Sequence, residues 1–236
     1  MRSFNTILLI LALLTSWAVA TCEAQSKEAE RLKNSATVMN EIMAAPDKSI
    51  PTDLLVKCAC VAVIPSMKKG GFIFGGRYGR GAVSCRKKGG TGDWGPPSMI
   101  ELTGGSFGLQ AGGAAVDVVL LIMELNGINS LIKNKFTLGG DASAAAGPVG
   151  RSSSAETDAY MKAKILSYSR SQGIFAGVEL KGAVLKQDRD GNQRLYGKIV
   201  GAKDLLFDAT EPIPKDAQPF IQTLEKYSPV RNRRTD

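Results

Sequence analysis

The chain has 236 residues, 26 of them glycine, and its 30 Lys and Arg outnumber 22 Asp and Glu for a formal net charge of +8. It contains no histidine, which excludes Ser-His triads and HExxH zinc sites. The positive balance favours anionic partners (membrane surfaces, nucleic acid or acidic polymers) and says nothing about fold.

Residues 1–20 read as a signal peptide. Arg2 supplies a positive start, Ile7 to Val19 form an uncharged apolar run, and Ala18 to Ala20 offer the small residues of a cleavage site. The run is shorter than the about 20 apolar residues of a membrane span. Cleavage before Thr21 and a periplasmic or secreted location are therefore expected. A lipid anchor on Cys22 is the lesser alternative, because Thr21 is a poor residue just before a lipidated cysteine. The remaining chain is long enough for one well-buried domain, 21–228, followed by a basic tail, 229–236.

From Lys27 to Ala45, Ala29, Leu32, Ala36, Met39 and Met43 recur at three- and four-residue steps and predict an amphipathic helix. A short helix over Thr52 to Lys57 follows two prolines. Glycine then punctuates short β segments: Val61–Ile64, Phe72–Arg77, Ala82–Arg86, Met99–Leu102, Val116–Leu125, Phe136–Ala142, Ala163–Ser171 and Gly173–Leu185. Val116–Leu125 is apolar on both faces, as a doubly covered strand requires. In Gly173–Leu185, Ile174, Ala176, Val178, Leu180 and Val184 fall on one face. Asp188 to Asn192 reads as a hairpin turn, with Asp190-Gly191 at positive φ. "AKDLLFDA" and "KDAQPFIQTLEKY" predict carboxy-terminal helices. The fold class is therefore α+β: a single domain with a glycine-rich, mainly antiparallel β core, barrel or sandwich, flanked by an amino-terminal amphipathic helix and carboxy-terminal helices.

Cys58 and Cys60 alternate around Ala59, share a face and are badly placed to bond each other. Two arrangements stand: a bridge from one of them to Cys85, or buried thiols acting as small apolar residues. "GGSFG" (Gly104 to Gly108) matches a nucleophile elbow, but Ser106 has no imidazole to take its proton. "GTGDWG" (Gly90 to Gly95) runs into Pro96-Pro97, which forbids the helix that a dinucleotide site needs. Neither catalytic residues nor a metal or cofactor is expected.

Lys68, Lys69, Arg77, Arg80, Arg86, Lys87 and Lys88 lie in one stretch that no acidic residue interrupts, the strongest candidate for anion contact. Nucleic acid is the weaker partner: an exported protein rarely meets it, and Phe72, Phe74 and Tyr78 are spaced as core residues of strands.

Four separated blocks, "AVIPSMKKGGFIFGGRYGRGAV", "GGSFGLQAGG", "FTLGGDASAAAGPVGR" and "YSRSQGIFAGVELKGAVL", resemble the SYLF domain. This lipid-binding domain is shared by yeast actin-patch proteins, animal phosphoinositide-binding adaptors and exported bacterial proteins. The similarity runs from about Ala29 to Tyr227. It implies a non-enzymatic domain that binds phosphoinositides or other anionic lipids and, in yeast relatives, actin filaments. In animal members membrane contact is attributed to the first helix, which here offers Lys27, Arg31 and Lys33 against Glu28, Glu30 and Glu41. The reading reached is an exported domain that binds anionic lipid at an envelope membrane, with the 68–88 stretch contributing more than the charge-balanced helix. The alternative is an interaction protein whose basic face meets an acidic polymer or a protein partner.

Overall fold

Two long strands replace the three short segments expected between Val61 and Arg86. In the computed structural model, β1 (Cys60–Gly71) and β2 (Phe74–Cys85) pair as one antiparallel hairpin. The structure describes residues 27–45, 49–71, 74–107, 112–132, 135–150, 163–171 and 173–229. The leader, Cys22 and residues 230–236 lie outside them.

The strands stay continuous because Pro65-Ser66 is absorbed as a bulge: between Ile64 and Met67, β1 carries one residue more than β4, and its pairing with β2 shifts over the same stretch. Gly79 and Gly81 of β2 lie where that bulge crowds the sheet. A Cβ on Gly79 would stand 2.5 Å from Ile64 Cγ2, and one on Gly81 would stand 2.0 Å from the Val63 carbonyl oxygen. Any larger residue would push the hairpin apart.

The strands that follow are β3 (Ser98–Phe107), β4 (Gly112–Ile122), β5 (Lys135–Thr137), β6 (Ala144–Ala146), β7 (Ile165–Ser171), β8 (Ile174–Gly177) and β9 (Val184–Gln187). They form one sheet in the order β5-β9-β3-β2-β1-β4-β7-β6, with β8 on β7. Among the described residues, the β6–β7 strand pair is parallel and the others are antiparallel. The sheet curls into a half-barrel, so the α+β class holds without barrel closure.

Helices cover the sheet because its strands are apolar on both faces. One face of β4 (Val118, Leu120, Ile122) packs with Phe136, Leu138 and Leu205. The other (Val119, Leu121) packs with Leu32, Met39 and Ile42 of α1, residues 27–44, and with Phe220 and Leu224. The α1 stripe is as expected, except that Ile42 is deeply buried and Met43 half-buried. The remaining helices are α2 (Thr52–Lys57), α3 (Asn129–Ile132), α4 (Arg189–Tyr196), α5 (Ala202–Leu206) and α6 (Gln218–Tyr227).

Two expectations need correction. Gly173–Leu185 is two strands, β8 and β9, broken around Gly182 at φ +79°. In β8 the faces are reversed: Phe175 is buried and stacks on Tyr168 at 5.4 Å, while Ile174 is exposed. Asp188–Asn192 is the start of α4, not a hairpin turn. Asp188 Oδ1 accepts from the Gly191 N–H at 2.8 Å as a helix cap. Gly191 serves space here, since a Cβ would lie 2.7 Å from Asp188 Oδ2 and 3.0 Å from Met99 Cβ.

Of the cysteine arrangements, Cys60 bonds Cys85, its direct cross-strand partner, with Cα atoms 4.0 Å apart. Cys58 remains a buried thiol that donates to the Leu55 carbonyl. Burial pushes its pKa up to about 12, so it is protonated and unreactive at neutral pH.

Candidate functional site

The cationic stretch does not form one surface. The bulge and the pairing of β1 with β2 distribute it over the two ends and two faces of the sheet.

At one end, Arg86 is buried with 3% of its surface exposed. Its Nη1 donates to the Gly92 carbonyl, and its Nη2 donates to the carbonyl and hydroxyl oxygens of Ser228 at 2.6 Å. The guanidinium lies 4.4 Å from the centre of the Trp94 ring. Trp94 Nε1 also donates to the Ser228 carbonyl, and the Ser228 hydroxyl to that of Leu55. Arg86 is thus withdrawn from the surface, a correction to its place among the anion contacts: its donors tie the turn after β2 to the end of α6. Lys87 and Lys88 flank it on the turn Lys87–Gly90. They are about 30 Å from Arg77 along β2, at about 3.3 Å per residue.

At the other end, Lys69 faces Arg77 across the β1–β2 ladder, and Lys68 faces Tyr78. Side chains alternate across a strand, so the two lysines point to opposite faces. Arg77 Nη2 donates to the Gly105 carbonyl at 3.1 Å, but its Nε is buried with no hydrogen-bond partner. Burial, and secondarily the charge of Arg77, holds the Lys69 pKa below the usual lysine value. Among the described residues no carboxylate pairs with Lys68, Lys69 or Arg77. Gly70, Gly76, Ala114 and Ala115 complete an open trough of about 550 Å³ beside these cations. A Cβ on Gly70 or Gly76 would meet nothing within 4 Å, so bare backbone lines the trough at these two positions.

The other predicted residues meet on the helix-covered face. Lys27 and Arg31 of α1, with Lys68, Tyr78 and Arg80, line a groove of about 360 Å³. The stretch and the helix, expected as rival contacts, are therefore neighbours. The arginines there are already neutralised. Arg80 Nη2 meets Glu101 Oε1 at 2.7 Å, and its Nε lies 3.9 Å from Asp188 Oδ2. Arg31 pairs with Glu28 and lies 3.6 Å from Asp188, while Arg194 meets Glu28 at 2.9 Å. Lys33 is exposed on α1 outside the groove. Tyr78 is 44% exposed with its hydroxyl bonded by Arg80 Nε at 2.6 Å, so it is not the core residue its spacing suggested.

The sequence set Glu28 against Arg31 correctly but did not reveal Glu101 and Asp188, which lie far along the chain from the arginines they neutralise. The "GGSFG" serine lies within β3, with Ser106 opposite Gly75 in the ladder. That is strand backbone, not the strand-to-helix elbow that exposes a nucleophile. "GTGDWG" is a loop, as expected. Among the described residues no His, Cys, Asp and Glu group is arranged to hold a metal ion, and no helix is long and apolar enough to cross a membrane.

A curled antiparallel sheet with helices at both chain ends and a glycine-lined cationic margin is an α+β domain of the SYLF kind expected from the sequence blocks. The profile of the Ysc84 family, described as "Las17-binding protein actin regulator", matches residues 103–227, more than half of the chain. The chain belongs to this family. It is 34% identical over 206 residues to LAS seventeen-binding protein 3 of Saccharomyces cerevisiae, which covers 86% of this chain and 44% of that protein. Protein YSC84 of the same yeast is 32% identical over 206 residues, covering 86% and 43%. The human SH3 domain-containing YSC84-like protein 1 is 30% identical over 207 residues, covering 87% and 59%. The chain thus spans about half the length of these relatives. The first is named for binding LAS seventeen and the third for containing an SH3 domain.

Proposed function

We propose that this chain is a non-enzymatic binding module that engages anionic lipid or phosphoinositide-like head groups through the open end of its sheet, with Lys68, Lys69 and Arg77 as the contacts. One observation carries the reading. Lys69 and Arg77 are direct neighbours of like charge with no carboxylate among the described residues, and such a pair is relieved by a bound anion. Because Lys68 and Lys69 point to opposite faces, an end-on approach brings all three cations to a surface. Arg31 and Arg80 contribute less, since Glu28, Asp188 and Glu101 already hold them. The leader motif of residues 1–20 supports an exported, envelope-facing setting, as does the Cys60–Cys85 bond, since disulfides persist in oxidising compartments.

The second reading, a protein partner, is favoured by the family description and by the yeast relative's name, which is that of a Las17-binding protein. Flotation with phosphatidylcholine vesicles, alone or with phosphatidylglycerol, separates the two. A basic residue near an anionic surface contributes about 1 kcal/mol, or about fivefold in affinity. Lys69→Ala/Arg77→Ala is then expected to weaken binding about 25-fold, and Lys27→Ala/Lys33→Ala to weaken it less. Equal binding to both vesicle types, or full binding by the Lys69/Arg77 variant, would overturn the lipid reading.

A further inference from the structure

The Ser66 bulge decides which of two consecutive lysines stands beside Arg77. Up to Val63, β1 follows the register that pairs Cys60 with Cys85 and Val63 with Ala82. Continued unchanged, that register would set Lys68 opposite Arg77. The bulge shifts it, so that Lys69 faces Arg77 and Lys68 faces Tyr78.

Ser66 adopts φ +50°, the left-handed region that non-glycine residues rarely enter. Its N–H donates to Asp117 Oδ1 of β4 at 2.9 Å. The other carboxylate oxygen, Oδ2, accepts from Arg170 Nε at 3.0 Å and Nη2 at 2.8 Å. Arg170 is the cross-strand partner of Asp117 on β7, and its Nη1 forms an ion pair with Glu41 on α1. A single carboxylate therefore holds the bulge on one side and, through Arg170, is tied to α1 on the other.

We propose that Asp117 is the positioning residue of the cationic sheet end: by capping the Ser66 N–H it holds the bulge that places Lys69 against Arg77. Its consequence for anion binding rests on the function proposed above; its consequence for the bulge does not. With Arg170→Met, so that no donor faces its amide NH2, Asp117→Asn keeps an oxygen for the Ser66 N–H and gives up the charge, whereas Asp117→Ala gives up both.

The test compares Asp117→Asn/Arg170→Met, Asp117→Ala and Lys69→Ala/Arg77→Ala in the full chain, with two readouts. One is flotation with phosphatidylcholine–phosphatidylglycerol vesicles, with and without inorganic phosphate as competitor, which tells a lipid head group from free phosphate as the preferred anion. The other is amide hydrogen exchange at Ser66. Asp117→Ala is expected to weaken vesicle binding about fivefold, the loss of one well-placed cation, and to speed exchange at Ser66. Asp117→Asn/Arg170→Met is expected to stay within about twofold of the parent and to keep Ser66 protected, a rescue that loss of the ion pair alone would not give. If Asp117→Ala binds like the parent while Lys69→Ala/Arg77→Ala does not, the positioning role is overturned and the site stands. Equal loss in the Asn and Ala variants also overturns it, because the charge would then matter and not the cap. If Lys69→Ala/Arg77→Ala binds normally, the site reading fails, and exchange at Ser66 alone judges Asp117: unchanged protection in Asp117→Ala overturns the proposal, and faster exchange supports it. Should Asp117→Ala not fold, Ser66→Gly/Asp117→Ala carries the same comparison, since glycine accepts the left-handed backbone without cost.

Discussion

The two ends of the β1–β2 hairpin solve the problem of holding an arginine in opposite ways. At the Cys85 end, Arg86 is buried, spends its donors on Gly92 and Ser228 and stacks on Trp94. At the Gly71 end, Arg77 keeps one contact, to Gly105, and sits beside Lys69, while the Nε of each arginine is buried without a hydrogen-bond partner. The first guanidinium is part of the structure. The second is held ready by it. Positive charge in a sequence therefore carries no function by itself; what distinguishes the two residues is whether the fold supplies their acceptors.

The sharpest way to break this contrast is at the sealed end. Arg86→Met leaves the Gly92 carbonyl without that donor, at about 1–3 kcal/mol, and removes the charged hydrogen bonds to Ser228, whose carbonyl keeps Trp94 Nε1. A loss of about 3 kcal/mol is expected, or roughly 6–12 °C in melting temperature at about 2–4 °C per kcal/mol, read by thermal circular dichroism. Vesicle binding by the folded variant should be unchanged. Cys60→Ala/Cys85→Ala should cost at most about 3.5 kcal/mol, because the bridge closes a loop of 25 residues; chemical denaturation measures it. A variant as stable as the parent would mean that the sealed end closes without its covalent bond.

At the open end the sign should reverse. Lys69→Gln is expected to change stability by no more than about 0.5 kcal/mol, in the stabilising direction, since it removes repulsion from Arg77. Its pH dependence follows from the lowered pKa of Lys69. The unfolded chain holds that proton to higher pH than the folded one, so parent stability should rise with pH between the depressed value and the ordinary lysine value. Over the same window anion binding by the parent should fall, and Lys69→Arg, which stays charged, should hold its binding. Identical alkaline profiles for parent and Lys69→Arg would place Lys69 outside the contact.

The sequence made the helices legible wherever one face stayed apolar: Leu32, Ala36 and Met39 mark α1, and Phe220, Ile221 and Leu224 mark α6. The doubly apolar run of β4 likewise announced a strand with cover on both faces. What was not legible depended on partners distant in sequence. Asp188-x-x-Gly191 looks like a turn until Met99 is placed against it. Arg86 is indistinguishable from Lys87 until Ser228 arrives 142 residues later. The Lys69–Arg77 pairing could not be read at all, because it depends on one extra residue at Ser66, whose cap lies on another strand.

The Ser228 latch also bears on the order in which the molecule is made. Its contacts reach back 173 residues to Leu55, 142 to Arg86 and 134 to Trp94. Closing such long loops is the slow part of assembling a chain. While synthesis proceeds from the amino end, the β1–β2 hairpin exists long before the residue that seals it. Until then Arg86 Nη2 and Trp94 Nε1 lack the acceptor that Ser228 provides. A nascent chain thus lacks this latch until α6 has emerged.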